Sequence, residues 1–82
     1  MQTPLQTPVQ TPVRKGIYRH YKGNLYHLME IATHSETGEQ LAIYRALYDE
    51  FGVWARPLAM FAESVEKEGE TFPRFALVKP LD

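Results

Sequence analysis

The chain has no cysteine. That excludes disulfide staples, thiol nucleophiles, cysteine zinc sites and thiol redox sensing, and it is compatible with a cytoplasmic protein. No apolar run approaches the roughly 20 residues needed to span a bilayer, so no membrane partner is expected. The N-terminus lacks a basic start followed by an apolar stretch, so a secretory signal is not expected. A formal net charge of −1 offers no global attraction to nucleic acid or acidic lipid. Helical periodicity is missing too: no window repeats apolar residues at i, i+3, i+4 and i+7 over three turns.

Eighty-two residues suffice for one domain. Charge is unevenly distributed. Arg14, Lys15, Arg19 and Lys22 are crowded together with no acid among them. Asp49, Glu50, Glu63, Glu66, Glu68 and Glu70 face only Arg56 and Lys67 over their stretch. A dipolar molecule is expected, basic at one end and acidic at the other. Residues 2–13 repeat QTPL-QTPV-QTPV, with proline recurring every fourth residue. Proline removes backbone donors and biases the preceding residue to extended geometry. Residues 1–13 therefore read as a disordered or extended arm, and residues 14–82 as a single small β domain.

From Gly16 onward the signals are those of strands. Gly16–Tyr21 forms a short first strand and Lys22-Gly23-Asn24 a turn. Leu25–Thr33 and Leu41–Tyr48 are longer strands joined through Ser35–Glu39. Gly38 fits the left-handed position of a three-residue hairpin loop. This choice pairs Ser35 with Glu39, Glu30 with Tyr44 and Tyr26 with Tyr48. One face then carries Leu25, Met29, Ile31, Leu41, Ile43 and Leu47. The other carries Tyr26, Leu28, Glu30, Ala42, Tyr44, Ala46 and Tyr48. After a turn at Asp49–Gly52, Val53–Arg56 is a fourth strand ended by Pro57. Leu58–Phe61 continues as a strand or one helical turn. Ala62–Lys67 and Thr71–Val78 form a last hairpin around Glu68-Gly69-Glu70. The fold class is all-β: a small SH3-like barrel or rolled antiparallel sheet of five to six short strands.

The run Tyr18-Arg19-His20-Tyr21-Lys22-Gly23-Asn24 carries a likeness, together with His34-Ser35-Glu36-Thr37, Tyr44, Leu47-Tyr48, Trp54, Arg56-Pro57, Met60-Phe61, Glu63 and Pro73-Arg74-Phe75. These residues resemble the bacterial family catalogued as domain of unknown function 1653, from Gly16 to Phe75. The QTP arm lies outside the resemblance, and Ala55 and Ala59 depart from its pattern. The family carries no assigned activity, so the resemblance implies a folding unit and no chemistry.

Candidate residues fall into four groups. Tyr18, His20, Tyr21, Lys22 and Tyr26 interleave aromatic and basic side chains, and Trp54 adds a further ring. Such a face can stack bases beside phosphates, as in single-stranded nucleic-acid binders. Glu30 on the tyrosine face argues against phosphate and for a cationic group. The bland alternative is that the tyrosines are simply packed. His34 and Glu36 invite an acid–base or ligand-binding reading, whereas turn hydrogen bonds by Ser35 and Thr37 are the structural alternative. His20, His27 and His34 lack the spacing of a metal site, and neither metal nor cofactor is expected. Arg56 and Arg74 each adjoin a proline. They are expected to form a salt bridge to an internal acid such as Glu30 or Glu63, or to serve as an anion-binding pair near His20.

The function expected is a non-enzymatic, cytoplasmic binding module with an aromatic-basic face for a protein or small ligand. Single-stranded RNA binding is the first alternative. A minor enzymatic or ligand-binding role centred on His34 and Glu36 is the second. An exposed tyrosine face would equally suit a homodimer interface.

Overall fold

The computed structural model describes residues 13–82, so the expected arm lies outside the described residues save for Val13. Seven strands and one helical turn follow each other. They are β1 Gly16–His20, β2 Leu25–Thr33, β3 Gln40–Ala46, β4 Val53–Pro57, α1 Leu58–Phe61, β5 Ser64–Lys67, β6 Glu70–Pro73 and β7 Phe75–Pro80. The order β4-β3-β2-β1-β7 makes one antiparallel five-stranded sheet, and β5-β6 is a separate two-stranded ribbon. The all-β expectation holds. The sheet is not closed into a barrel, however: β4 and β7 remain at opposite edges of it.

The β2–β3 register differs from expectation. Thr33 pairs with Gln40 and Ile31 with Ala42, one residue away from the predicted alignment. The His34 N–H donates to the Glu39 carbonyl at 2.7 Å, and the Gly38 N–H to the His34 carbonyl at 2.9 Å. The loop thus holds four residues, Ser35–Gly38, with Gly38 in the predicted left-handed region at φ 78°. A bulge at Met29 then slips the register again, so that Leu28 faces Tyr44 and Tyr26 faces Ala46. The bulge places Glu30 opposite Ile43, off the tyrosine face, where it meets the Lys15 ammonium at 3.6 Å. His27 faces Arg45, not Leu47. Apolar residues stand at both even and odd positions of β2, Leu28 and Ile31 among them, so alternation alone does not reveal where an extra residue shifts its phase.

The expected last hairpin is also divided differently. Glu68 and Gly69 both have positive φ, 55° and 82°, and close a two-residue turn between β5 and β6. The chain then breaks at Arg74. The Arg74 N–H donates to the Glu63 carbonyl, and its own carbonyl accepts from the Tyr21 N–H. After this corner β7 leaves the ribbon and pairs with β1, matching Gly16 with Pro80 and His20 with Phe75.

The core lies on the tyrosine face. Tyr18, Leu28, Ala42 and Tyr44 are buried there, under Phe61 from α1 and Phe75 from β7. The Phe61 and Phe75 rings stack at 4.3 Å with 6° between planes, and Tyr18 meets Phe61 edge-on at 5.2 Å. The aliphatics of the opposite face, Leu25, Ile43 and Leu47 among them, stay half-buried. The aromatic cover decides which face is the interior. Only about 60% of the unfolded surface is buried in a chain of this size, so each buried ring matters.

Gly16 is enclosed where β1 meets β7. A Cβ there would lie 2.3 Å from the Lys79 carbonyl oxygen, a backbone atom that cannot step aside. Gly38 has open space around it, so only its φ of 78° resists a side chain. Gly16→Ala is therefore expected to lower unfolding free energy by about 2–4 kcal/mol and Gly38→Ala by about 1 kcal/mol. Urea titrations followed by far-ultraviolet circular dichroism would check both, and equal losses at the two positions would contradict the β1–β7 packing described.

Candidate functional site

Strand alternation carries Tyr18 and His20 of β1, Tyr26 of β2, Tyr44 of β3, and Trp54 and Arg56 of β4 to one face of the sheet. Their depth varies. Tyr18 is 6% exposed and belongs to the core. Its hydroxyl donates to the Arg14 carbonyl at 2.6 Å. Tyr44 is buried as well, whereas His20, Tyr26, Tyr48 and Arg56 reach the surface in part. Trp54, on the edge strand, is 60% exposed.

The polar tips of these rings meet. Tyr26 and Tyr48 share a hydroxyl–hydroxyl bond of 2.5 Å. Arg56 Nε donates to the Tyr44 hydroxyl at 3.2 Å. Tyr26 packs edge-on against Tyr44, Tyr48 and Phe75 at 5.4–5.5 Å. Burial, and then the bond to Tyr48, raise the Tyr26 hydroxyl pKa to about 12, so it remains a neutral donor and acceptor.

His20 stands beside this hydroxyl cluster, its ring 6.2 Å from Tyr26, 4.9 Å from Phe75 and 4.5 Å from Tyr21. The Lys22 N–H donates to His20 Nδ1 at 3.1 Å. In the neutral ring the proton is therefore assigned to Nε2. Burial, followed by the charges of Arg74, Lys22 and Arg56, pulls the His20 pKa below its ordinary value. Three cations from the β1–β2 turn, β4 and the β6–β7 corner thus bear on one imidazole. Arg74 has an acid of its own, Glu63, at 2.6 Å. Its Nε is buried without a protein acceptor. Arg56 makes no ion pair among the described residues and keeps guanidinium N–H groups beyond its bond to Tyr44.

The expected candidates divide accordingly. His20, Tyr26, Arg56 and Arg74 come together, with Trp54 along the same face. Tyr21 and Lys22 flank the cluster: Tyr21 packs on Phe72 at 5.8 Å, and the Lys22 ammonium lies 5.9 Å from the Tyr21 ring centre. His34 and Glu36 lie elsewhere, beyond the far end of β2, roughly 25 Å along the strand. His34 Nδ1 accepts the Glu36 N–H at 3.1 Å, and Thr37 Oγ1 accepts the Glu39 N–H at 3.1 Å. The predicted turn chemistry is present, with His34 in the place assigned to Ser35. The salt bridge expected for the arginines exists at Arg74, with Glu63; Glu30 pairs with Lys15 instead. Among the described residues no three His, Asp or Glu side chains come together as metal ligands. No helix among the described residues is long and apolar enough to cross a membrane.

Two features went unread in the sequence. Tyr44 and Tyr48 supply the hydroxyls that organise the site. The Asp49–Gly52 turn builds a cleft of about 530 Å³ with Ala46, Tyr48 and Trp54. A signal was available in Asp-Glu-Phe-Gly, a turn too rich in bulk and charge for a simple link.

Comparison with known proteins now adds two findings. A family described as "Protein of unknown function (DUF1653)" matches residues 16–77. The crystal structure of a DUF1653 protein from Bordetella bronchiseptica is similar, with 36% identity and a TM-score of 0.76, over 85% of this chain and 92% of that one. No curated protein matches the sequence.

The depressed pKa of His20 has a sign. The unfolded chain binds a proton near the ordinary value of 6.5, while the folded chain resists it until lower pH. The unfolded state therefore holds more protons in that interval, and stability falls as pH drops below about 6.5 through the folded value. His20→Asn keeps an acceptor near the Nδ1 position and removes the titration. Urea midpoints measured from pH 7.5 to 5 should fall more steeply with acid in the wild type than in His20→Asn; parallel curves would contradict the assignment.

Proposed function

The chain belongs to the DUF1653 family, and within the family's span we propose that it is a small non-enzymatic binding module. Its recognition site is the cluster of His20, Arg56 and Arg74 over the hydroxyls of Tyr26, Tyr44 and Tyr48. The ligand group this cluster suits is an anion on a protein or small molecule. The observation that carries the reading is the convergence of these cationic and donor groups with Glu63 as their one nearby ion-pair partner among the described residues. Arginine's planar fork fits carboxylate and phosphate, and a neutral imidazole N–H adds a further donor. The lack of cysteine fits a cytoplasmic setting for such a module.

Single-stranded RNA is the second reading, and one observation favours it. The bulge at Met29 removes Glu30 from the tyrosine face, so the acid that argued against phosphate no longer stands there. A catalytic role for His34 and Glu36 gains no support, because His34 Nδ1 is taken up by the turn amides of Glu36 and Thr37.

Amide proton–nitrogen spectra of the full chain, titrated with inorganic phosphate, a carboxylate-rich peptide and short single-stranded RNA, test both readings. Shifts are expected at His20, Lys22, Arg56 and Arg74. Arg56→Gln should weaken binding about fivefold or more, as loss of a charge-assisted hydrogen bond costs about 1–3 kcal/mol. Affinity should rise as pH falls through the His20 transition. RNA binding would show a steep logarithmic salt slope. Unchanged affinity in Arg56→Gln for every ligand would remove this site from consideration.

A further inference from the structure

We propose that the cleft between Tyr48 and Trp54 is a second, separate binding site, and that it takes an organic cation: an alkylammonium or guanidinium group. The cleft holds about 530 Å³ and is lined by Ala46, Tyr48, Asp49, Glu50, Gly52 and Trp54. That volume lies within the roughly 300–1,000 Å³ of ordinary ligand sites. Its two rings are the kind that hold a cation by the negative face of the π-system, with tryptophan the strongest of the natural side chains. Its two carboxylates supply the matching charge. Neither Asp49 nor Glu50 forms an ion pair among the described residues.

The backbone holds this arrangement firmly. The Phe51 N–H donates to the Tyr48 carbonyl at 3.0 Å, and the Ala46 N–H to the Gly52 carbonyl at 2.9 Å. The Arg45 guanidinium donates to the Phe51 carbonyl at 2.8 Å from the opposite face of β3. Asp49 and Phe51 both carry positive φ, 52° and 56°, an uncommon conformation for a bulky residue such as phenylalanine. Gly52 leaves room for the indole: a Cβ there would touch Trp54 Nε1 at 3.4 Å. The indole is thus laid against the loop that carries the acids, while 60% of the residue stays open to an incoming group.

The cleft shares Tyr48 with the anion cluster proposed above, the cluster using its hydroxyl and the cleft its ring, and the two are separable by mutation at Asp49 or Glu50 on one side and at Arg56 on the other. A nucleobase stacked on Trp54 is the competing occupant; it would bring its phosphate toward the two carboxylates, which is why a cation is favoured.

Trp54 is the single tryptophan of the chain, so intrinsic fluorescence reports the cleft directly. The full chain would be titrated with choline, and with its uncharged carbon isostere 3,3-dimethylbutan-1-ol, at matched ionic strength. Saturable quenching or shift with choline and at least tenfold weaker response to the isostere is expected. Asp49→Asn tolerates the same backbone region, since asparagine is enriched there. It should weaken choline binding roughly fivefold, as should Glu50→Gln, while Arg56→Gln, which removes a neighbouring positive charge, should not weaken it. A lysine-bearing hexapeptide and Nα-acetyl-lysine amide then separate the sources. Tighter binding of the peptide assigns the cleft to a protein side chain, and equal binding to a free small cation. Equal response to choline and its isostere, or no saturation with any cation, would overturn the proposal.

Discussion

One contact organises the molecule: the parallel stack of Phe61 on Phe75 above the tyrosine face of an open sheet. An open sheet of five strands must cover one face or remain wet on both. Here the cover is slight, a single helical turn and the first residue of β7. Two stacked rings close the interior because Tyr18, Tyr26 and Tyr44 rise edge-on around them. Edge-to-face and offset aromatic pairs add about 0.5–1.5 kcal/mol each beyond buried area. In so small a core that is a large share of the net stability. The two phenylalanines reach their places through prolines. Pro57 ends β4 and leads into α1, and Pro73 ends β6 just before the Arg74 corner.

The interior and the candidate site are the same residues at different depths. A tyrosine ring is apolar along its body and polar at its tip, so a core made of tyrosines delivers hydroxyls to its margin. Tyr44 accepts from Arg56, and Tyr26 and Tyr48 bond each other. No separate scaffold is required to hold these groups, since the packing that stabilises the fold also sets their positions. Along β4 the character of the face changes within two residues. Arg56 belongs to the cationic cluster and Trp54 to the acid-lined cleft, about 6.6 Å apart along a strand.

Much of this was legible in the residues. The first four strands, the positive φ of Gly38 and an element at Leu58–Phe61, either a strand or one helical turn, follow from alternation and turn chemistry. What escaped has identifiable causes. The loop Ser35–Gly38 accommodates either three or four residues, and the choice shifts every pair on β2 and β3. The bulge at Met29 leaves no mark in the hydrophobic pattern, yet it moved Glu30 across the sheet. Which face is interior depended on where Phe61 and Phe75 land, a long-range matter that local reading does not reach. The same holds for Arg74, whose corner is fixed by carbonyl and amide partners in Glu63 and Tyr21.

The pairing of β1 with β7 bears on how the chain acquires its structure. β1 lies inside the sheet, flanked by β2 and β7, although β7 is made some fifty-five residues after it. During synthesis β1 and β2 emerge together and can pair early, but one edge of β1 waits until β7 has left the ribosome. Phe75, half of the central stack, arrives with β7 too. The sheet and its cover are thus completed in one late step, a topology of distant contacts that slows folding relative to hairpins closed locally. Until that step the tyrosine face is uncovered, and it is then that a nascent chain of this kind stands most in need of protection from its neighbours.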